Sequence, residues 1–424
     1  MGEYLLVLAV GAICLVLYMV RLNWVLSHTP QEVVDRAGEP LTRDHVRDVF
    51  ERVRREGIDW EGKLPRRKDR RYIVVGGSGF LGGQIIMYLL AMGTPPEAIR
   101  IVDAPASKVA FIQIDITNEA EILKAYEAPW PDAVASLPLT VFHTAGVIRP
   151  FERYEMFHER TSRVNVTGTA HSLLAAKKVG AGIFIYTFSL NAALKQVKWL
   201  FAPWGRTQQP RGFIQDLDDR DFFEPLRPPH TFLTNYAQSK AESERLVCDA
   251  DERDARPGMP VLRTGAIRPG NAVYGHRNES IVDALLGENA AKVAGRPFTV
   301  TDRGKPVRFG DIHLLLDTVS TTGPRMSYPP PVLMLVLSYL VEWYGLLVNA
   351  VPFLDRFLSE PGELIRWVQS GGYATRRRPE DGGIGYMACC TTVEGMCARV
   401  VDWNKWVEEE EMRMEKDKKK KKDL

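Results

Sequence analysis

A strand, a glycine turn and a helix in immediate succession constrain this chain more than any other feature. Arg71 to Val75 (RYIVV) is a short β-branched run of the kind buried inside a parallel sheet. GGSGFLGG follows without a spacer, and then the helix-forming QIIMYLLAMG. Gly76, Gly79 and Gly82 stand three apart. Glycine at 76 permits the tight turn. At 79 it lets the backbone approach a pyrophosphate, and at 82 it lets the helix pack closely on the strand. The helix start then presents free N–H groups and the positive end of its dipole to phosphate. Phe80 and Leu81 lie inside the loop and join the candidate cofactor contacts. A glycine triplet alone is weak, but here a strand precedes it and a helix follows, as a dinucleotide-binding turn requires. The fold class this predicts is α/β, a Rossmann-type doubly wound parallel sheet.

The strands that follow keep the pattern. Ala98 to Val102 (AIRIV) ends in Asp103, about 20 residues after Gly82, where this fold places its ribose ligand. A carboxylate there accepts from both ribose hydroxyls of NAD and repels the extra phosphate of NADP. No Arg follows directly to receive that phosphate, so NAD is favoured over NADP. Phe111 to Ile114 reads as a third strand and leads to Asp115, a candidate at the adenine side. Leu139 to His143 is a fourth, running into Thr144-Ala145-Gly146. Small residues at that point let the nicotinamide-side ribose lie against the backbone, which makes Ala145 a candidate contact. Asn165, in VNVTGT on the next helix, has a structural or cofactor-side role. Ile183 to Tyr186 is a fifth strand, with Thr187-Phe188-Ser189 at its C-terminal end. Catalytic residues of open α/β sheets collect at that edge.

Asn235-Tyr236-Ala237-Gln238-Ser239-Lys240 then opens a helix. Residues four apart share a helix face, so Tyr236 and Lys240 point the same way. A free phenol has a pKa of about 10 and is a poor base at neutral pH. A fixed ammonium beside it, together with the cationic nicotinamide, is expected to favour the phenolate. The pair would then be an acid/base suited to alcohol–ketone interconversion, with Ser189 aligning the substrate oxygen. A Tyr and a Lys four apart are common by chance. After a glycine turn, an Asp-ended strand and a strand-end Ser, the order is hard to produce by accident.

The two ends carry different information. Tyr4 to Val20 is an uninterrupted, almost wholly apolar run, and 17 residues of helix span roughly 26 Å, the short end of the transmembrane range. Glu3 precedes it with no Lys or Arg, which argues for an anchor over a cleaved signal peptide. Arg21, Arg36, Arg43 and Arg47 follow, so the bulk of the chain is expected in the cytosol. Lys421 and Lys422 resemble a dilysine retrieval signal, which gives the expectation of a single-pass protein of the endoplasmic reticulum membrane. A second apolar region, 329–354, has Glu342 in its middle. A charge at bilayer centre is costly, so a helix in the interface, one lining a greasy substrate entrance, or a core helix fits better than a span. The net charge of +2 gives no reason to expect nucleic acid, and the five cysteines show neither zinc spacing nor a disulfide framework.

The segments VVGGSGFLGG, VFHTAG, NVTGT, FIYTFSL, YAQSK and AIRPGNAVYG together resemble the extended short-chain dehydrogenases of the 3β-hydroxysteroid dehydrogenase group, which includes the sterol-4-carboxylate 3-dehydrogenases. The resemblance covers about residues 70 to 405. It implies catalytic roles for Ser189, Tyr236 and Lys240 and cofactor roles for Gly76, Gly79, Gly82 and Asp103. It also places the segment containing Pro269 beside the nicotinamide. Two departures stand out. Phe188 occupies the place of a family Ser. Between Gly275 and Pro297 the family holds a helix, a strand and a further helix, where this chain has only about 20 residues. Such a shortening would remove part of one wall of the substrate pocket.

The expected organisation is an anchor (1–26), a charged helical linker (27–70), an NAD-binding domain (71–260), a substrate part (261–405) and a charged tail (406–424). The expected function is NAD-dependent oxidation of a secondary 3β-hydroxyl on a sterol or similar polycyclic lipid. Its partners would be that lipid, the membrane and, as one admissible state, a second copy of the chain. The alternatives are a catalytically impaired NAD-binding membrane protein, or the same chemistry on a non-steroid metabolite. Sequons at Asn165 and Asn278 would stay unmodified in the cytosol.

Overall fold

The structure is a computed structural model. It describes residues 2–37, 39–59, 65–103, 110–149, 152–205, 209–217, 219–252, 260–269, 295–300, 307–322, 329–351, 374–377 and 390–422. The shortened stretch expected between Gly275 and Pro297, and Asn278 with it, lies almost wholly outside the described residues.

The strands are β1 (Arg71–Val75), β2 (Ile99–Val102), β3 (Ala110–Ile112), β4 (Leu139–His143), β5 (Ile183–Thr187), β6 (Ile214–Leu217), β7 (Arg263–Pro269), β8 (Pro297–Val300) and β9 (Ala374–Arg377). Seven of them form one sheet in the order β3-β2-β1-β4-β5-β7-β8, every neighbouring pair parallel. β6 and β9 pair separately. The third strand is shorter than expected and ends at Ile112, before Asp115.

Register explains why the sequence motifs meet. Val75 pairs with Val102 on one side and His143 on the other, so Gly76, Asp103 and Thr144 leave the sheet at one edge. Tyr186 pairs with His143, which brings Phe188 and Ser189 to the same edge. The chain reverses direction of sheet growth between β1 and β4, the switch point at which open α/β sheets bind ligands. Both faces are buried, which is why the strands read as continuous apolar runs. Ile73, Val141 and Phe184 pack on one side, and Tyr72, Val74 and Phe142 on the other.

The helices are α1 (Gly2–Ser27), α2 (Gln31–Arg36), α3 (Arg43–Glu56), α4 (Phe80–Ala91), α5 (Glu119–Glu127), α6 (Asp132–Ala135), α7 (His158–Ser162), α8 (Gly168–Lys178), α9 (Asn235–Asp249), α10 (Phe309–Val319), α11 (Pro331–Ala350) and α12 (Thr392–Lys422). α4 lies on one face of the sheet through Ile86 and Leu89. α5, α8 and α9 cover the other through Ile122, Ala176 and Val247. α3 belongs to the segment expected as a linker. It starts at Thr42, whose hydroxyl accepts from His45 N, and stops at Gly57 with φ +70°. Val46, Phe50 and Val53 of α3 pack with Leu315 of α10 and with Met396 and Cys397 of α12. Arg52 pairs with Glu394 at 2.8 Å, so a piece of chain before the sheet is fastened to one after it.

Among the described residues, α1 and α11 are the two helices long and apolar enough to cross a membrane by length and composition. Leu22 and Val25 are the buried residues of α1, and the side chains from Tyr4 to Leu17 are exposed.

Candidate functional site

The glycine turn is built as the spacing predicts. Gly76 has φ +82°, and a Cβ there would sit 2.6 Å from Ala145 N. A Cβ on Gly82 would come within 2.3 Å of Gly76 O and 2.7 Å of Thr144 Oγ1. Both positions therefore exclude a side chain. Gly79 caps α4 in extended backbone, leaving the helix start open. Thr144 Oγ1 donates to Val75 O at 2.8 Å and fastens the β4 end to the turn. Asp103 lies at the β2 end, where its Oδ2 accepts from Ser78 N at 2.8 Å. Phe80 and Leu81 are exposed at the start of α4, and the Arg399 guanidinium of α12 stands 5.5 Å from the Phe80 ring centre. Asp115 is exposed in a turn where it accepts from Thr117 N at 2.9 Å, and that bond holds its carboxyl below the usual range.

The polar half of the site hangs on α9. Thr234 Oγ1 accepts from Ala237 N at 3.1 Å, which caps the helix. Asn235 is held at both polar groups, its N–H donating to Glu152 O and its side-chain amide to Tyr154 O at 2.8 Å. Lys240 is buried, and its Nζ donates to Thr187 O at 3.0 Å while lying 4.6 Å from the Tyr186 ring centre. Burial pushes the Lys240 ammonium down to about 7. Ser189 lies beside the Tyr236 phenol and favours its ionised form.

The ammonium and the cationic nicotinamide together are expected to favour the Tyr236 phenolate; in the protein alone, without that cation, burial pushes the phenol up, against the opposing effect of Ser189. The reason is that both groups leave water together. The lysine is itself driven toward its neutral form by burial and donates one hydrogen bond to the Thr187 carbonyl.

Asn165 sits in a π-helical turn, Arg163–Thr167, and is fully buried. Its Oδ1 accepts from Val147 N, and its Nδ2 donates to Val147 O and to Ser239 Oγ. Gly146 lies between these groups. A Cβ there would meet Asn165 Oδ1 at 3.1 Å and Lys240 Nζ at 3.2 Å. Pro269 ends β7, half-buried, with Val300 as its strand partner. Phe188 is buried under the Arg268 guanidinium, 4.9 Å from the ring centre. Arg268 Nε and Nη2 donate to the Glu244 carboxylate at 2.7 and 2.6 Å, and Nη1 to Asp221 at 2.5 Å. Sequence reasoning missed this network, although Glu244 lies four residues beyond Lys240 on the same helix face. It also missed buried His143, which bonds Ser172 at 3.0 Å and Thr169 at 3.1 Å and is pushed down to about 3 by burial, so it is neutral.

Residues 73–200 match the 3-beta hydroxysteroid dehydrogenase/isomerase family, and 139–287 match the male sterility protein family. Over residues 73–200 the chain is similar to the extended short-chain dehydrogenases of the 3β-hydroxysteroid dehydrogenase family. A rat 3 beta-hydroxysteroid dehydrogenase type 7 is 26% identical over 64% of this chain and 78% of its own length. A 3-beta-hydroxysteroid dehydrogenase of Mycolicibacterium neoaurum is 32% identical over 50% of each. The terminal R domain of a myxalamid biosynthetic pathway aligns over 79% of this chain and 90% of that one, at 17% identity and a TM-score of 0.47. The chain spans about half the length of most of the curated relatives it matches. The residues present fit this family's nicotinamide dinucleotide, because Gly76, Gly82 and Gly146 keep open a cradle that a Cβ would fill.

Proposed function

We propose that this chain is an NAD-dependent dehydrogenase that oxidises the 3β-hydroxyl of a sterol or similar polycyclic lipid to the ketone. The observation that carries the reading is buried Lys240 against Gly146 and Thr187, four residues after Tyr236 on α9, with Ser189 beside the Tyr236 phenol. Bound NAD supplies the hydride acceptor. Gly76, Gly79 and Gly82 admit the pyrophosphate, with the backbone of Phe80 and Leu81 at the helix start. Asp103 receives the adenosine ribose and disfavours a 2′-phosphate, while Asp115 borders the adenine side. Ala145 and Pro269 flank the nicotinamide end, and Lys240 donates to its ribose. Ser189 orients the substrate hydroxyl, and Tyr236 accepts its proton.

The lipid class is inferred from the apolar helices α1 and α11 together with the relatives' steroid names. α1 is the proposed single-pass anchor, with the catalytic part on the cytosolic side, the orientation favoured by the arginines that follow it. The endoplasmic reticulum is the proposed membrane, and a homodimer is the proposed assembly. Purified full-length protein should reduce NAD with 3β-hydroxysterols and not with 3α epimers. Turnover restricted to water-soluble alcohols would favour a non-steroid substrate. Cofactor binding with no turnover on any alcohol would favour the impaired form.

A further inference from the structure

Glu342 stands in the middle of α11, an otherwise apolar helix, yet it is only 6% exposed. It forms an ion pair with Arg153, on the loop after β4. Seven residues on, which is close to two helical turns, Asn349 Oδ1 accepts from Arg160 of α7 at 3.1 Å. The inner face of α11 is thus fastened to the sheet domain at two levels. Its outer face is the reverse. Leu333, Leu337, Leu340 and Leu347 are all exposed and fall on one stripe opposite Glu342, with exposed Trp343 at its edge. Trp343 is 67% exposed. An exposed apolar stripe of this length marks a docking surface.

A second exposed apolar surface lies at the same level. The loop 199–205 presents Leu200 and Trp204, the latter 86% exposed. This loop is tied to α1, because Tyr18 Oη donates to Phe201 O at 3.1 Å and Arg21 donates to the carbonyls of Pro203 and Gly205. α11 meets the same stretch of α1, since Val332 N donates to Asn23 Oδ1 at 3.3 Å. Residues 18–23 of α1 therefore hold one apolar surface on each side, where the long exposed run of α1 ends.

We propose that the catalytic body is seated on the bilayer by these two surfaces, the outer stripe of α11 and the loop tip at Leu200 and Trp204. α11 lies in the interface plane and does not cross. The bilayer is the occupant because both surfaces are continuous with the point where α1 leaves it, and because tryptophan at that depth sits at the headgroup boundary. A crossing α11 would carry Glu342 to the bilayer centre and pull Arg153, a residue of the sheet domain, after it. The choice of the bilayer as occupant starts from the proposed insertion of α1, but the seat itself needs only the two exposed surfaces.

The test uses the full chain in phosphatidylcholine nanodiscs, with a photo-crosslinking amino acid placed singly at Leu8, Trp204, Leu333, Leu340 and Leu347. Mass spectrometry then locates each adduct along the lipid. The expected result is adducts near the glycerol and upper acyl carbons at 204, 333, 340 and 347, at one depth, and deep acyl adducts at 8. A crossing helix would shift depth by about 21 Å between 333 and 347, and that gradient would overturn the proposal. Absence of lipid adducts at 340 and 347, with deep adducts at 8, would also overturn it. Absence at 8 with shallow adducts at the other four would reject the anchor reading of α1 and leave the seat standing.

Discussion

Asn165 grips Val147 by both of its backbone polar groups, accepting from its N–H at 2.8 Å and donating to its carbonyl at 3.1 Å. The same side chain donates to Ser239 Oγ at 3.0 Å, and Ser239 in turn donates to Tyr236 O at 2.9 Å. One buried amide therefore sets the β4 loop against α9. Asn165→Ala should cost about 1–3 kcal/mol, because it leaves buried polar groups unpaired. Urea unfolding measures that loss. Turnover should fall more than cofactor affinity, since the displaced loop borders Gly146 and Lys240.

Arg268 and Glu244 form a bidentate pair that is almost wholly buried. Removing one partner strands the other charge. Glu244→Ala should destabilise by about 3–5 kcal/mol, while replacing both by apolar residues of similar volume should cost far less. Denaturant midpoints of the single and double variants check this. Equal losses in the two would show that the pair does not act as a unit.

Lys240 gives a pH dependence with a definite sign. Its folded value is about 7, below the 10.5 of the free side chain. Between those values the unfolded chain holds more protons, so this group makes stability rise with pH through that window. Its burial costs most below pH 7, where it is charged. Lys240→Met should flatten the rise between pH 7 and 10, read from thermal unfolding across that range. An unchanged slope would show that the ammonium is well solvated.

Asp103 is placed to set cofactor choice. Asp103→Ala should weaken NAD and relieve the repulsion of a 2′-phosphate, moving the NAD/NADP affinity ratio toward NADP by about tenfold or more, which is 1.4 kcal/mol or more. Binding titrations with both reduced cofactors measure the ratio. No movement would mean that the Asp103 bond to Ser78 N is purely structural.

The parallel sheet was legible in the sequence because its strands are buried on both faces and its glycine turn has no room for a side chain. Gly76, Asp103 and Ser189 reach one edge because register follows directly from those runs, and α9 brings Lys240 to Gly146 there. Other features were not legible. Arg268 reads as an ordinary basic residue until Glu244 and Asp221 are seen around it, and the π turn at Asn165 leaves no mark in local composition. α3 reads as a charged linker because only its narrow Val46–Phe50–Val53 edge is apolar, and its partners lie more than 250 residues away. The rise of the Tyr236 phenol was missed for a related reason. Spacing shows which charges are near, but not how far each is removed from water.

The most direct test of the proposed chemistry is turnover by Tyr236→Phe. Full-length protein, wild type and variant, should be assayed for NADH formation with a 3β-hydroxysterol, alongside NADH binding. The expected result is matched NADH and ketone from the wild type, a loss of about 10²–10⁴-fold in the variant, and unchanged NADH affinity. A variant as active as the wild type, or a wild type that binds NADH and oxidises no 3β-hydroxysterol, would contradict the account.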